Sequence, residues 1–401
     1  MNIWIINQYA IPIDGAGGTR HATIAKYLAQ LGHHTTVFVS DSKNETLVIK
    51  NQQQFIDRDF DGYKFRYVKS PAYSNIIERF YSMLMFRRNV LKSTAGLTKP
   101  DVIIGSTVHL HGADAGRRLA KKFKVPFIYE IRDIWPQTLV DIGALSTKNP
   151  VYWYLNSIEN KLLRQADKII TLLPGVSKYV ISKGFDKNKV FYLPNGIDKE
   201  LYPLSNAKDN DQSLFRAMFF GAHGPANGLM TLIKAAKLLS DQGHKNILIE
   251  LIGDGVAKPS LVKAVKESRL ENVKFSDSLP KKEVFLKAQE ADCFIFHLIN
   301  MKVLEKYGIS ANKLFDYLML ERPVIFACNS FNDPVKESGA GISIPPESPS
   351  ILANALIDFS RMSREDLETK GNKGREWVIN HHDFEFNVKV LEKFLCGLVC
   401  N

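Results

Sequence analysis

Short runs of Val, Ile and Phe alternate along the chain with longer stretches in which apolar residues recur at helical spacing. The runs at 3–7, 35–40, 64–68, 101–105, 126–130, 168–172 and 189–193 predict strands, because a strand covered on both faces is apolar without alternation. Between them lie helical patterns such as Ile24, Leu28 and Leu31, closed by Gly32, which accepts the left-handed backbone that follows a helix end. Residues 194–213 lapse into Asn, Asp, Lys, Pro and Ser, the composition of an interdomain linker. The alternation then restarts, with strands predicted at 215–220, 247–252, 273–275, 293–297, 324–327 and 341–344. Repeated strand–helix–strand order predicts an α/β protein built on parallel sheets with helices on both faces. Each half can bury its own core. The expectation is two doubly wound, Rossmann-like domains, 1–195 and 196–380, facing each other across a cleft. Residues 364–400 read as helical with breaks at Gly371 and around His381 to Asp383, and 381–401 are expected to pack back on the first domain.

Composition narrows the class. A length of 401 residues fits two or three domains, and 45% apolar with 24% charged residues excludes disordered and fibrous architectures. The 53 Lys and Arg against 42 Asp and Glu leave a charge of +11, which calls for nucleic acid, an anionic membrane or a phosphorylated small molecule. No apolar run is long enough to span a bilayer. The four cysteines, at 293, 328, 396 and 400, suit neither a disulfide framework nor a zinc ribbon, so a reduced, cytosolic compartment is expected. Met1 and Asn2 run straight into a strand rather than a targeting signal.

Three segments offer chemistry. Asp14 to Arg20, with Gly15, Gly17 and Gly18, follows the first strand and opens a helix, where backbone amides can approach an anion. Arg20 stands where a dinucleotide fingerprint has its third glycine, so NAD binding is a poor match, although Asp41 ends the second strand as a ribose-binding acid would. His109-Leu110-His111-Gly112-Ala113-Asp114 approximates a metal-ligand run with the wrong spacing, so no metal is expected there. His33-His34 and His381-His382 lie at element ends and are expected to be solvated. The third segment is the sharpest: Ser310 reads as the N-cap of a helix whose amides at Ala311, Asn312 and Lys313 would cradle a diphosphate, with the Lys313 ammonium beside them. Asp316 then lies about 9 Å along the axis, the span from a diphosphate to a ribose.

Gly15 to Gly18, Leu193-Pro194-Asn195-Gly196-Ile197-Asp198, Leu251-Ile252-Gly253-Asp254-Gly255 and the segment from Asn312 to Pro323 resemble, in order and over nearly the whole chain, the signatures of retaining GT-B glycosyltransferases of family 4. Glu130-Ile131-Arg132-Asp133-Ile134-Trp135-Pro136 and Gly308 to Tyr317 further resemble a bacterial branch that builds surface polysaccharides, including L-fucosamine transferases. The resemblance implies a nucleotide-sugar donor, UDP-linked in that branch, held mainly by the second domain. Asp316 matches the acid on the ribose hydroxyls, and Ser310, Asn312, Lys313 and Leu314 match diphosphate and sugar contacts. Gly17 and Gly18 match the loop over the diphosphate, and Leu279 a segment near the base. Such enzymes need no bound metal or other cofactor.

The sequence departs from the family at three places. Gly308 replaces a glutamate eight residues before Asp316. The loop from Phe219 to Gly228 offers His223 and Asn227 but no cation where the family has Arg and Lys. Arg132, next to Asp133, aligns with a first-domain histidine. Arg132, Lys313 or Arg20 is expected to supply the missing charge. Arg132 and Asp133 are the catalytic candidates, and Arg20 and His109 the acceptor-side candidates. Cleavage from the anomeric carbon builds charge on the diphosphate, which amides, a helix N-terminus and cations would stabilise. Retention in the family is usually explained by front-face attack, which needs no protein nucleophile.

The basic surplus is most visible in the first domain. Glu78 to Lys92 sets apolar residues at 80, 83, 84, 90 and 91 beside four cations, and Arg117 to Lys124 forms a second cluster. A basic amphipathic helix suits an anionic bilayer, where a polyprenyl-diphosphate-linked saccharide acceptor would wait, so a peripheral site on the inner face of the cytoplasmic membrane is expected. No zinc-finger spacing or aromatic RNA-binding signature points to nucleic acid. The alternatives are a GT-B epimerase acting on its own sugar nucleotide and a non-catalytic sugar-nucleotide sensor.

Overall fold

A computed structural model describes residues 1–13, 15, 19–42, 49, 53–107, 109–202 and 214–399. The chain forms two compact units, Met1–Asn195 with Phe384–Asn401, and Gly196–Asp383.

The first unit carries β1 (Asn2–Ile6), β2 (His34–Ser40), β3 (Phe55–Phe60), β4 (Tyr63–Val68), β5 (Val102–Ser106), β6 (Phe127–Ile131), β7 (Lys168–Thr171) and β8 (Val190–Tyr192). They lie in the order β3-β4-β2-β1-β5-β6-β7-β8. Its helices are α1 (Arg20–Gln30), α2 (Ile76–Val90), α3 (Leu110–Phe123), α4 (Gln137–Asp141), α5 (Pro150–Gln165) and α6 (Val176–Ser182). The central strands are buried beyond Asn2, as their largely apolar runs require, with Ser106 and Glu130 as buried polar exceptions. The sheet is not wholly parallel: β3, absent from the predicted strands, pairs antiparallel with β4 at the edge. Its charged residues face Arg66, whose Nε and Nη2 each approach Asp57 at 2.7 Å.

The second unit carries β9 (Phe215–Phe220), β10 (Ile247–Ile252), β11 (Val273–Ser276), β12 (Cys293–His297), β13 (Val324–Ala327) and β14 (Gly341–Ile344), all parallel, in the order β11-β10-β9-β12-β13-β14. Its helices are α7 (Met230–Asp241), α8 (Lys258–Glu267), α9 (Lys281–Ala288), α10 (Lys302–Tyr307), α11 (Asn312–Met319), α12 (Pro334–Ser338), α13 (Pro349–Ser360) and α14 (Arg364–His382). Each sheet reverses its winding once, between β1 and β5 and between β9 and β12, and such switch points are where doubly wound sheets hold ligands.

The C-terminal helices correct the sequence reading. α14 runs unbroken through Gly371, where a Cβ would lie 2.1 Å from the Glu321 carbonyl oxygen, so the glycine permits close packing instead of ending the helix. His382 is buried and stacks on Phe315 with ring centroids 4.0 Å apart, against the expectation of solvation. α15 (Phe384–Val399) inserts Phe384, Val388, Leu391 and Leu395 into the core of the first unit. Among the described residues, no helix is long and apolar enough to cross a membrane.

Charge divides unevenly. The first unit has 29 Lys and Arg against 17 Asp and Glu, and the second 24 against 25, so the whole surplus belongs to the first.

Candidate functional site

At the switch point of the second unit, β9 ends on Phe220 and β12 on His297. The loop after β9 is held from several sides. Tyr317 of α11 takes the Phe220 amide at 3.0 Å on its hydroxyl and donates to the Phe220 carbonyl at 2.9 Å. The His223 amide donates to the Asp254 carbonyl at 2.8 Å. Gly253 (φ 142°) and Gly255 (φ 153°) let the loop after β10 close on this turn: a Cβ on Gly253 would sit 2.0 Å from the Gly221 carbonyl oxygen, and one on Gly255 2.6 Å from that of His223. This packing accounts for the Gly-Asp-Gly motif. His297 accepts the Glu347 amide on Nε2 at 3.1 Å, so its Nδ1 carries the proton and donates to the Asn227 carbonyl at 2.7 Å.

Into this frame project groups with unused polar capacity. The His223 ring is fully buried and neither nitrogen has a hydrogen-bond partner; burial, with Lys258 nearby, lowers its pKa and favours the neutral ring. The Lys313 ammonium donates to Asn227 Oδ1 and lies 4.6 Å from the Phe219 ring centroid and 4.9 Å from that of Phe296. Burial pulls its pKa down to about 7, with a small opposing contribution from Cys328. The structure therefore brings Lys313 to the loop that reads in sequence as lacking a cation.

The helix start differs from the expected one. Ile309 is clamped by Asn332, which accepts its amide at 2.8 Å and donates to its carbonyl at 3.0 Å. The chain stays extended through Ala311, which takes the N-cap position without a side-chain bond, so Ser310 is not the cap. The amides of Asn312 and Lys313 have no acceptor among the described residues. The Leu314 amide closes the first turn on Ala311 at 3.0 Å and its side chain lies in the core, so Leu314 offers a ligand nothing directly. Gly308 caps α10 with φ 90°, a conformation that a glutamate in its place would strain to adopt. Asp316, five residues past the observed cap and about 7.5 Å along the axis, receives the Tyr202 hydroxyl and the Lys281 ammonium on Oδ1, the latter at 3.2 Å. Leu279 is half-buried in the loop preceding Lys281.

In the first unit, Arg132 and Asp133 follow β6, with the Arg132 amide bonded to Thr107 Oγ1 at 2.9 Å. Arg132 makes no ion pair among the described residues and its buried Nε has no partner; Asp133 is exposed. Arg20 is different. It lies buried with Nε on Glu130 at 3.0 Å, Nη1 on the Pro194 carbonyl at 2.8 Å and Nη2 on the Leu193 carbonyl at 3.0 Å. Every guanidinium nitrogen is thus committed, which corrects its acceptor-side assignment. His21 completes this cluster, donating from Nε2 to Glu130 at 2.7 Å while Nδ1 accepts from Asn7. His109, also expected beside the acceptor, is buried and caps α3 by accepting the Gly112 amide on Nδ1 at 3.3 Å. Gly17 and Gly18 lie outside the described residues.

The chain is similar in fold to sucrose-phosphate synthase from Thermosynechococcus elongatus, with a TM-score of 0.79 at 17% identity over 100% of this chain and 99% of that one. It is also similar to HepE from Anabaena, solved with UDP and glucose, with a TM-score of 0.70 at 15% identity over 99% of both chains. Two family models divide the sequence: Glycosyltransferase Family 4 matches residues 16–201, and Glycosyl transferases group 1 matches residues 215–361. The chain is a GT-B glycosyltransferase. A probable glycosyltransferase of Pseudomonas aeruginosa, WbjE, is 21% identical over 292 residues, 69% of this chain and 68% of that protein.

For a transferase, the histidine-rich run of α3 is structural. His111 packs against Phe80 and Tyr154 with both ring nitrogens unpartnered, and Asp114 is taken by Arg87, Arg117 and Arg118. Among the described residues, the one trio with metal-ligand chemistry and spacing is His33, Glu392 and Cys396. There His33 Nδ1 already faces the Met1 amine at 3.1 Å, so its other nitrogen carries the proton and points it at Glu392. Sequence reasoning missed Tyr202, Lys281, Lys258 and His297, which reach the site from separate segments; only the position of His297 at a strand's C-terminal end marked it.

Proposed function

We propose that the protein is a retaining transferase that moves a sugar from a UDP-linked donor to a saccharide, free or carried on a polyprenyl diphosphate, in the assembly of a surface polysaccharide such as an O-antigen. One observation carries the reading: a buried ammonium without a carboxylate, two unused helix amides and a buried histidine with two unused nitrogens converge on the switch point, with a carboxylate along the same helix. That arrangement suits a diphosphate and a ribose. UDP is favoured because HepE, of the same fold, is solved with UDP and glucose. Resemblance to the L-fucosamine branch favours an N-acetylated deoxyhexosamine such as L-FucNAc, and Gly308 leaves its recognition to other side chains.

In this reading Lys313 and the amides of Asn312 and Lys313 receive the charge that grows on the leaving diphosphate, and Arg132 is the catalytic cation assigned within the first unit. The leaving oxygen takes the acceptor proton on the same face of the sugar. Neutralisation falls to these groups rather than to a metal ion, and unchanged turnover in EDTA is the expected result. The surplus charge of the first unit supports an acceptor held at the inner face of the cytoplasmic membrane.

A thermal-shift screen of UDP, GDP, ADP and dTDP tests the donor, since a ligand at 100 times its dissociation constant adds about 2.7 kcal/mol. Stabilisation by UDP above the others is expected. Turnover of UDP-L-FucNAc with acceptor, followed by NMR of the new anomeric centre, tests the reaction. Donor consumption without acceptor would favour an epimerase instead. Arg132→Ala and Asp316→Ala are each expected to lower turnover at least about tenfold without altering the fold, and near-normal rates in both would remove the assignments.

A further inference from the structure

We propose that Asn227 is a positioning residue, whose side-chain carbonyl aims the Lys313 ammonium at the donor diphosphate without neutralising it. The proposal deepens the reading above and rests on it, since that reading gives Lys313 its anionic partner.

Asn227 is held at three points. Its Nδ2 donates to the Ala222 carbonyl at 2.8 Å, across the same loop. An amide whose nitrogen is committed to a carbonyl has its orientation settled, so Oδ1 is the end that faces Lys313 and receives the ammonium. The Asn227 backbone carbonyl accepts from Nδ1 of the fully buried His297 at 2.7 Å. That approach is close: a Cβ on Gly228 (φ 54°) would lie 2.7 Å from His297 Cε1, so glycine is required there. His297 is fixed in turn. Its Nε2 accepts the amide of Glu347, a residue held at φ 55° whose carboxylate receives the Asn300 amide at 3.0 Å. A residue with a side chain keeps that left-handed conformation where contacts on several sides demand it. Loops after β9, β12 and β14 thus brace a single side-chain oxygen.

What that oxygen holds decides its role. An ammonium drawn away from water is ordinarily met by a carboxylate. Lys313 meets an uncharged amide and the rings of Phe219 and Phe296, and no carboxylate pairs with it among the described residues. The titratable groups around it are His223, His297 and Cys328, just after β13. Burial lowers the pKa of both histidines and pushes the thiol up to about 12, which leaves all three uncharged at neutral pH. An amide orients the ammonium through a hydrogen bond and leaves its charge for an incoming anion, whereas a carboxylate would hold it and cancel it. With both polar ends of its side chain engaged, Asn227 acts on the donor through Lys313 rather than by touching it.

The test is calorimetry of UDP binding to the full chain at pH 7, in buffers of different ionisation enthalpy, for the unaltered protein, Asn227→Ala, Lys313→Met and the double variant. Lys313→Met is expected to weaken UDP about tenfold and Asn227→Ala about threefold to tenfold, with the double variant no weaker than Lys313→Met alone, because a residue that acts through another adds nothing once that other is gone. Proton uptake is the second readout. With the Lys313 pKa at about 7, the unaltered protein takes up about half a proton on binding UDP at pH 7. Asn227→Ala removes the acceptor that favours the ammonium, so uptake is expected to rise toward about one proton. Asn227→Asp forms the ammonium in advance and is expected to bring uptake close to zero. An asparagine that merely supports the loop would move neither. Additive losses in the double variant, or uptake unchanged in both Asn227 variants, overturn the proposal and leave the donor site standing. UDP affinity unchanged in Lys313→Met overturns the reading above and the proposal with it.

Discussion

The hydroxyl of Tyr202 donates a hydrogen bond to Oδ1 of Asp316, the carboxylate that the sequence assigns to the donor ribose, and Lys281 closes on the same oxygen at 3.2 Å. Tyr202 itself stacks on Phe285 with ring centroids 4.6 Å apart, so the carboxylate is aimed by a packed aromatic. Burial, and then Asp316 beside it, push the phenol's pKa up, which keeps it a donor at any working pH. Tyr202→Phe is expected to raise the donor KM about threefold to tenfold with little change in kcat, because orientation is lost while the carboxylate remains. Steady-state kinetics with varied donor checks this, and a fall in kcat alone would place Tyr202 elsewhere in the reaction.

Lys313 sets a pH dependence. Its pKa of about 7 means that the empty site holds it mostly neutral at alkaline pH. A bound diphosphate favours the ammonium, so binding should take up a proton above pH 7 and weaken as pH rises toward 10. Calorimetry of UDP binding in buffers of different ionisation enthalpy measures that proton. Lys313→Met is expected to abolish the uptake, weaken binding about tenfold, and raise the melting temperature of the empty protein by about 2 °C or more, since a buried charge is removed.

Arg20 carries a different expectation. Removing one partner of its buried pair with Glu130 typically costs about 3–5 kcal/mol. Arg20→Met should therefore lower the melting temperature or the soluble yield, and the folded fraction should keep the acceptor KM. A selective rise in acceptor KM at unchanged stability would restore the acceptor role. Burial pushes the Glu130 carboxyl up, but Arg20 and His21 outweigh it and hold it well below the usual carboxylate range. Its stabilisation is present above the unfolded carboxylate pKa and is lost as pH falls through the folded value.

Burial lowers the pKa of His21, His109, His223 and His297, and takes His111 down to about 4. The unfolded chain binds protons at these histidines below about pH 6.5 that the fold refuses, so stability should decline between that pH and about 4. His111→Phe, which replaces two unpartnered nitrogens among Phe80 and Tyr154, is expected to add about 1–2 kcal/mol and flatten that decline. Urea denaturation across the pH range measures both effects.

The strands were legible because those covered on both faces, such as Ile247–Ile252 and Cys293–His297, are apolar throughout except for Glu250 and the terminal His297. β3 was not, since Phe-Ile-Asp-Arg-Asp-Phe is an edge strand whose charges pair with Arg66 and Lys64; only the Asp61-Gly62 turn betrayed the hairpin. In the site, Lys313 and Asp316 could be read from one helix because their spacing is local. Tyr202, Lys281 and His297 could not, because proximity across a fold leaves no mark in sequence separation. Arg20 and His109 misled for the opposite reason: polar residues near glycines and strand ends look like ligands until their buried partners are known.

α15 returns to the first unit after the whole of the second has been made, which makes the second a continuous insertion within a discontinuous host. At its base, Ile197 bridges to Asp383 and donates to the His382 carbonyl at 2.7 Å, so the two ends of the insertion are tied side by side. During translation the second unit can close as soon as its last helix leaves the ribosome. The first must wait, holding an open groove over Ile24 and Leu28 until Leu391 and Leu395 arrive. A premature stop near residue 383 would therefore spare the later-made unit and leave the earlier-made one without part of its core.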